Sequence, residues 1–158
     1  MSKYLISDTR EKKNQHVLAH FDRIGIRYDI AKLDFGDYMD VYRHDISIDR
    51  KQSIAELAKN CTSEHDRFKR EIERAQRANS RLVILVEQNR YKDRGRWIRV
   101  ESVEDLMLWS SPHTKVRGEK VYRVLRAWMA KYGIDVQFCD KRQTGKRIIE
   151  ILYDDKRM

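Results

Sequence analysis

Residues 33–57, LDFGDYMDVYRHDISIDRKQSIAEL, decide how the rest of the chain reads. Two short runs of alternating apolar residues, 38–42 and 46–48, flank a polar turn at 43–45, the pattern of a β-hairpin. Asp37 stands just before the first strand and Asp49 at the end of the second. Antiparallel pairing returns the chain to its starting point, so the two carboxylates converge at one end of the hairpin. Lys51 follows Asp49 by two positions and projects from the same side of the strand.

That trio suits phosphodiester hydrolysis. Hard carboxylate oxygens hold Mg²⁺ or Mn²⁺, which polarises a phosphate, while a nearby ammonium orients the attacking water and offsets developing negative charge. The expected metal ligands are Asp37 and Asp49. The same residue types also keep many hairpin ends soluble, so the spacing alone leaves a solvated turn open.

The flanking sequence adds two more stretches, which with two in the hairpin make four motifs in order. Asp8-Thr9-Arg10-Glu11 closes a short apolar strand, Gly36-Asp37-Tyr38 opens the hairpin, Ile48-Asp49-Arg50-Lys51 ends it, and Arg81-Leu-Val-Ile-Leu-Val-Glu87 follows. The series resembles the XPF-type structure-specific endonuclease family, with its D-x-R-E start, G-D, E-R-K and strand ending in Glu. The match covers residues 1–87 well and the remainder loosely. Asp49 stands where the family has Glu, which shortens the reach to a metal by one methylene. One extra residue follows Lys51, so Glu56 rather than Ala55 takes the place of a family Asp.

The resemblance implies a restriction-endonuclease-like α/β fold, a mixed central sheet flanked by helices. It implies a Mg²⁺- or Mn²⁺-dependent DNA endonuclease, with branched or flapped DNA as a substrate class. Asp8 would join Asp37 and Asp49 on the metal, Lys51 would position the water, and Glu11, Glu56 and Glu87 would be second-rank acidic partners. The Arg50 carbonyl is a further ligand candidate. Arg10, Arg50 and Arg67 would meet DNA, Arg67 as the arginine that opens a helix beside the site. The alternatives are Asp8 as a helix N-cap, Glu11 in a favourable first helical turn, and Arg67 in a surface ion pair with Glu64 or Glu71.

Composition bounds the partners. At 158 residues the chain fits one domain, and 34 Lys and Arg against 25 Asp and Glu give a net charge of +9, which favours polyanions through counterion release. Cys61 and Cys139 lack zinc-type spacing and are expected to be free thiols. No apolar run approaches the roughly 20 residues of a membrane span, and the N-terminus lacks a signal-peptide core, so a reducing, cytosol-like compartment is expected. A small nuclease without accessory domains would suit a phage or mobile-element genome.

Away from the hairpin, residues 4–7 read as a strand, 13–24 as a helix stopped by Gly25, and 27–33 as a second strand. Residues 53–60 form a short helix, and 64–78 a charged one with Phe68, Ile72 and Ala75 as its buried stripe. The continuous apolar run 82–86 marks a strand buried on both faces, so Glu87 ends it where open α/β sheets place ligands, either completing the metal site or bonding Lys51.

From 88 to 115 the pattern breaks into a basic insertion. Arg90, Arg94, Arg96 and Arg99 interleave with Tyr91 and Trp97 around a hairpin tip at Gly95, which suits DNA contact through phosphate pairing and base stacking. An ordinary hairpin with Trp97 and Ile98 folded onto the core is the alternative. Ser102 and Asp105 predict a capped helix running through Trp109. A helix over 118–132, a strand over 134–138 and a helix over 144–153 complete the chain. Ile148, Ile149, Ile151 and Leu152 leave room for a homodimer contact or for burial within one chain. No paired G-h-G hairpins follow, so no tandem helix-hairpin-helix module is expected. The competing reading from another class is a non-catalytic nucleic-acid-binding or scaffold module of the same fold. Retention of Asp37, Asp49 and Lys51 speaks against it, because carboxylates near phosphate cost binding energy.

Overall fold

The structure, a computed structural model, describes residues 2–154. Six strands form one mixed sheet: β1 (Tyr4–Asp8), β2 (Arg27–Ala31), β3 (Tyr38–Asp40), β4 (Ile46–Lys51), β5 (Arg81–Val86) and, after a separate hairpin of β6 (Arg90–Asp93) and β7 (Arg96–Arg99), β8 (Asp135–Phe138). Their spatial order is β2-β1-β3-β4-β5-β8. β3 lies antiparallel between β1 and β4, whereas β1–β2, β4–β5 and β5–β8 are parallel pairs.

Parallel neighbours require helical crossovers, and these supply the outer layers. α1 (Gln15–Ile24) links β1 to β2, α2 (Ile54–Cys61) and α3 (His65–Arg77) link β4 to β5, α4 (Gly118–Tyr132) leads into β8, and α5 (Thr144–Ile149) follows it. β5 shows how the layers close: Leu82, Ile84 and Val86 pack with the α2, α3 and α4 side chains, while Val83 and Leu85 pack with those of α1 and α5. That two-sided burial is what its unbroken apolar run predicts.

Alternation along β4 sets up the rest of the molecule. Ile46 and Ile48 belong to the α1/α5 side. Arg50 shares their face by periodicity, and Asp49 and Lys51 take the other. One tetrapeptide, Ile48-Asp49-Arg50-Lys51, therefore sends its charges to opposite sides of the sheet.

The hairpin forms with different limits from those the sequence suggests. β3 stops at Asp40 because the Asp40 carboxylate turns back to accept from the amides of Tyr42 (2.8 Å) and Arg43 (2.9 Å), replacing the ladder with a turn. β4 instead runs on to Lys51, since its pairing with β5 continues to Lys51↔Val86. The expected helix through Trp109 shortens to a 3₁₀ turn, Val103–Leu106, although Ser102 and Asp105 do make the reciprocal cap. Gly118 packs so tightly there that a Cβ would sit 1.6 Å from the Leu106 carbonyl oxygen, and its amide donates to the Trp109 carbonyl. α5 passes into a π-helical turn, Glu150–Asp154. Ile148, Ile149, Ile151 and Leu152 are all buried within the chain, which removes the apolar face considered for a homodimer. Both cysteines are buried and free, and among the described residues no helix is long and apolar enough to cross a membrane.

Candidate active site

A polar cleft of about 300 Å³ opens where β1 and β4 end and β3 begins; Asp8, Asp37, Asp49, Lys51, Glu56 and Glu71 are among its lining residues. Pairing of Tyr38 with Ile48 puts Asp37 and Asp49 next to each other across the β3–β4 ladder. The turn is fixed at three points. Gly36 has φ +72°, and a Cβ there would press to 3.2 Å on the Ile48 carbonyl oxygen. The Asp37 amide donates to that same oxygen at 2.6 Å, and the Arg50 amide donates to Asp37 Oδ2 at 2.8 Å.

Lys51 and Asp49 meet on the α2/α3 side, with Nζ 2.8 Å from Oδ1 and 4.5 Å from the centre of the Phe68 ring. The buried Oδ1 of Asp49 is thus ion-paired to the Lys51 ammonium. Burial works against the Lys51 charge, but Asp49, Asp37 and Glu71 together more than offset it and raise its pKa. The carboxylates show the opposite strain. Burial, then the charges of Asp49 and Glu11, push Asp37 well above the ordinary range. Burial and Asp49 lift Glu71 to about 7. Asp37, Asp49 and Glu71 thus crowd one ammonium, a shortage of positive charge.

A divalent cation fits this donor set. Among the described residues no three His, Cys, Asp or Glu side chains form a ready-made metal cage. Mg²⁺ needs none, since it is commonly held by one or two carboxylates and keeps several waters. Asp37 and Asp49 offer that pair.

Asp8 lines the cleft but has no acceptor capacity left. Its carboxylate takes the Leu33 amide at 2.7 Å, the Arg10 amide at 3.1 Å, Arg10 Nε at 2.9 Å and Arg10 Nη2 at 3.3 Å, which fills about four lone-pair sites. These bonds outweigh burial and hold its pKa below the ordinary value. Asp8 is not an N-cap, a place that Asn14 holds for α1; its carboxylate ties β1 to the segment after β2.

Glu11 and Glu87 are turned to Arg50. Glu11 accepts from Arg50 Nε and from the Tyr38 hydroxyl, each at 2.6 Å. Glu87 accepts from Arg50 Nη1 at 2.5 Å and from the Thr144 hydroxyl at 2.7 Å, and lies 2.8 Å from His16 Nε2. Glu87 therefore neither bonds Lys51 through its side chain nor joins the carboxylates. The Arg50 side chain is 0% exposed, so the expectation that it meets DNA is corrected: it is the central cation of a buried network. Glu56 borders the cleft, with its amide donating to Ser53 Oγ at 3.1 Å and its carboxylate accepting from the Gln52 amide at 3.3 Å, which caps α2.

α3 supplies what the sequence reading missed. Arg67 pairs with Glu64 at 2.9 Å, as its alternative reading had it, and is not among the residues that line the cleft. Glu71 and Arg74, one and two turns farther along the same face, reach the cleft instead. Glu71 accepts from the Gly36 amide at 2.8 Å and Arg74 donates to the Asp34 carbonyl at 3.0 Å. The signal was the stripe Arg67, Glu71, Arg74 at helical spacing. Arg10 stands at the same rim, its Nη2 donating to the Leu33 carbonyl.

The basic hairpin forms around a two-residue turn, Arg94 and Gly95, both with positive φ. Its register, Arg90↔Arg99 and Lys92↔Trp97, puts these four on one face and Tyr91 with Ile98 on the other. Trp97 stays 56% exposed, with Arg90 4.3 Å and Lys92 5.1 Å from its ring centre, while Ile98 packs on the core. Arg96 pairs across from Asp93, and Arg99 makes an ion pair with Glu101.

This architecture is shared with solved structures. XPF from Aeropyrum pernix is similar at a TM-score of 0.68 and 19% identity, over 98% of this chain and 65% of that one. The same protein in complex with DNA is similar at 0.67 and 19%, over 94% and 62%. The chain thus spans a little under two thirds of those XPF chains. No curated protein sequence matches it. The family model of the ERCC4 domain matches residues 7–152. The chain belongs to the ERCC4 domain family.

Proposed function

We propose that the chain is a DNA endonuclease that hydrolyses phosphodiester bonds with Mg²⁺ or Mn²⁺, acting on branched or flapped DNA. The observation that carries this reading is the Asp49–Lys51 pair facing Asp37 in an open cleft. A non-catalytic module would have nothing to gain from that arrangement, because buried like charges are costly.

Asp37 and Asp49 hold the ion, with the Arg50 carbonyl as a third donor. The ion supplies Lewis-acid polarisation of the phosphate and neutralises charge on the leaving oxygen. Lys51 orients the attacking water and stabilises negative charge on the phosphate as it builds. Glu71 holds the Gly36 turn that aims Asp37, and Asp8 fixes the neighbouring loop through Leu33 and Arg10. Glu11, Arg50 and Glu87 brace β4 from behind. DNA lies across the mouth, meeting Arg10 and Arg74 on one side and Arg90, Arg94, Arg96, Trp97 and Arg99 of the insertion on the other.

Pure protein incubated with labelled duplex, flap, fork and four-way-junction DNA tests the reading. Cleavage with Mg²⁺ or Mn²⁺ that stops in chelator, while the protein stays folded, is the expected result. Cleavage undiminished in excess chelator, or none with either ion, would reject it.

A further inference from the structure

A second cavity, about 510 Å³, lies beside the cleft. Its walls include Trp97 and Lys92 from the hairpin, Tyr91 beneath them, Leu108 and Trp109 after the 3₁₀ turn, and Ser53 at the start of α2. The volume falls within the range of small-molecule sites, which are mostly apolar with a few placed polar groups. Two of its large apolar residues are unusually open, Leu108 at 75% and Trp97 at 56% exposure, whereas Trp109 is buried at 5%. The Tyr91 side chain is buried as well, and its hydroxyl has no hydrogen-bond partner.

Position narrows the occupant. Ser53 is two residues beyond Lys51, so the cavity begins within about 7 Å of chain from the proposed catalytic lysine. Ala55 lines the cavity and Glu56 the cleft, so adjacent residues of α2 border the two. On the other side of Trp97 lies a third recess, with Arg90, Arg99 and Arg142. Trp97 thus divides an apolar, aromatic cavity from a cationic groove. Flat aromatic walls beside cations are what single-stranded nucleic acid binds, the rings taking bases and the cations taking the backbone.

We propose that this cavity takes one unpaired nucleobase of the DNA strand that enters the cleft, stacked against Trp97. This deepens the nuclease reading and rests on it. The pocket makes an unpaired base next to the cut a condition of good positioning, because a fully stacked duplex has none to offer without paying for extrusion. Trp97 acts here as a positioning residue.

The test compares binding, in chelator, of an oligothymidylate with an abasic deoxyribose-phosphate oligomer of equal length, which carries the same charges and no bases. Base stacking of the usual strength predicts a preference of about tenfold for the oligothymidylate. Trp97→Ala should reduce it to about twofold or less and Trp97→Phe should restore most of it. Ser110→Trp, placed on an exposed rim residue of the cavity, should fill the pocket and remove the preference with Trp97 intact. Equal binding of the two oligomers by the unmodified protein, or a preference that survives Trp97→Ala or Ser110→Trp, would overturn the pocket. If the protein meanwhile cleaves DNA with metal, only the pocket falls; if it neither binds nor cleaves any DNA, the nuclease reading falls with it.

Discussion

Asp49 and Lys51 meet at 2.8 Å on one side of β4, while Arg50 between them is sealed on the other side against Glu11 and Glu87. A strand period of two separates the proposed chemistry from its support. The two sides consequently answer differently to substitution.

On the supporting side, Arg50→Met should leave Glu11 and Glu87 buried without their central cation. Breaking a buried pair in this way commonly costs about 3–5 kcal/mol. Urea unfolding should show a loss of that order. Unchanged stability with weakened DNA binding would return Arg50 to the role of a DNA contact.

On the cleft side the sign reverses. Glu71 sits at about 7 against an ordinary value of 4.5, so the folded protein keeps a proton that the unfolded chain releases. Stability of the metal-free protein is therefore lost as pH rises from 4.5 towards 7, and the penalty is complete above that. Glu71→Gln keeps an acceptor for the Gly36 amide and removes the penalty. Its melting temperature should exceed that of the unmodified protein by about 5 °C at pH 8, shrinking below pH 5. A gain that does not depend on pH would show that Glu71 is not held in this state.

How much of this could be read in advance depended on which physics carried it. The order of strands and helices followed from apolar periodicity, and the meeting of Asp37 with Asp49 followed from hairpin pairing, both local. Asp8 and Arg50 take partners that the local sequence does not announce, because a charged residue near a motif looks the same whether it faces solvent or a buried partner. The partners that decide it, Leu33 for Asp8 and Glu87 for Arg50, lie 25 and 37 residues away. Glu71 was missed because its neighbour Arg67 offered an easier explanation as an ion pair. The 3₁₀ turn at Val103–Leu106 replaced a helix because Gly118 packs on the Leu106 carbonyl, a contact across the insertion that no local spacing encodes.

For the hairpin, Arg90 and Arg99 share a face with Trp97, whereas Arg67 is tied to Glu64 on α3. The double variant Arg90→Ala, Arg99→Ala should lower the slope of log affinity against log salt by about two. Arg67→Ala should leave it unchanged. Equal effects from both variants would mean that general charge, rather than this face, attracts DNA.

The most direct measurement is the single-turnover cleavage rate of a flapped DNA, with Mg²⁺ and in metal-free binding controls, for Asp37→Asn and Lys51→Ala. Asp37→Asn keeps volume and an acceptor for the Arg50 amide but removes a proposed metal ligand and a repelling charge. Cleavage should fall about 10²–10³-fold while metal-free DNA binding holds or tightens. Lys51→Ala removes the ammonium, so binding should weaken slightly and the rate should fall by a similar factor. If both folded variants cleave at the rate of the unmodified protein, the Asp37–Asp49–Lys51 centre does no chemistry and the account is contradicted.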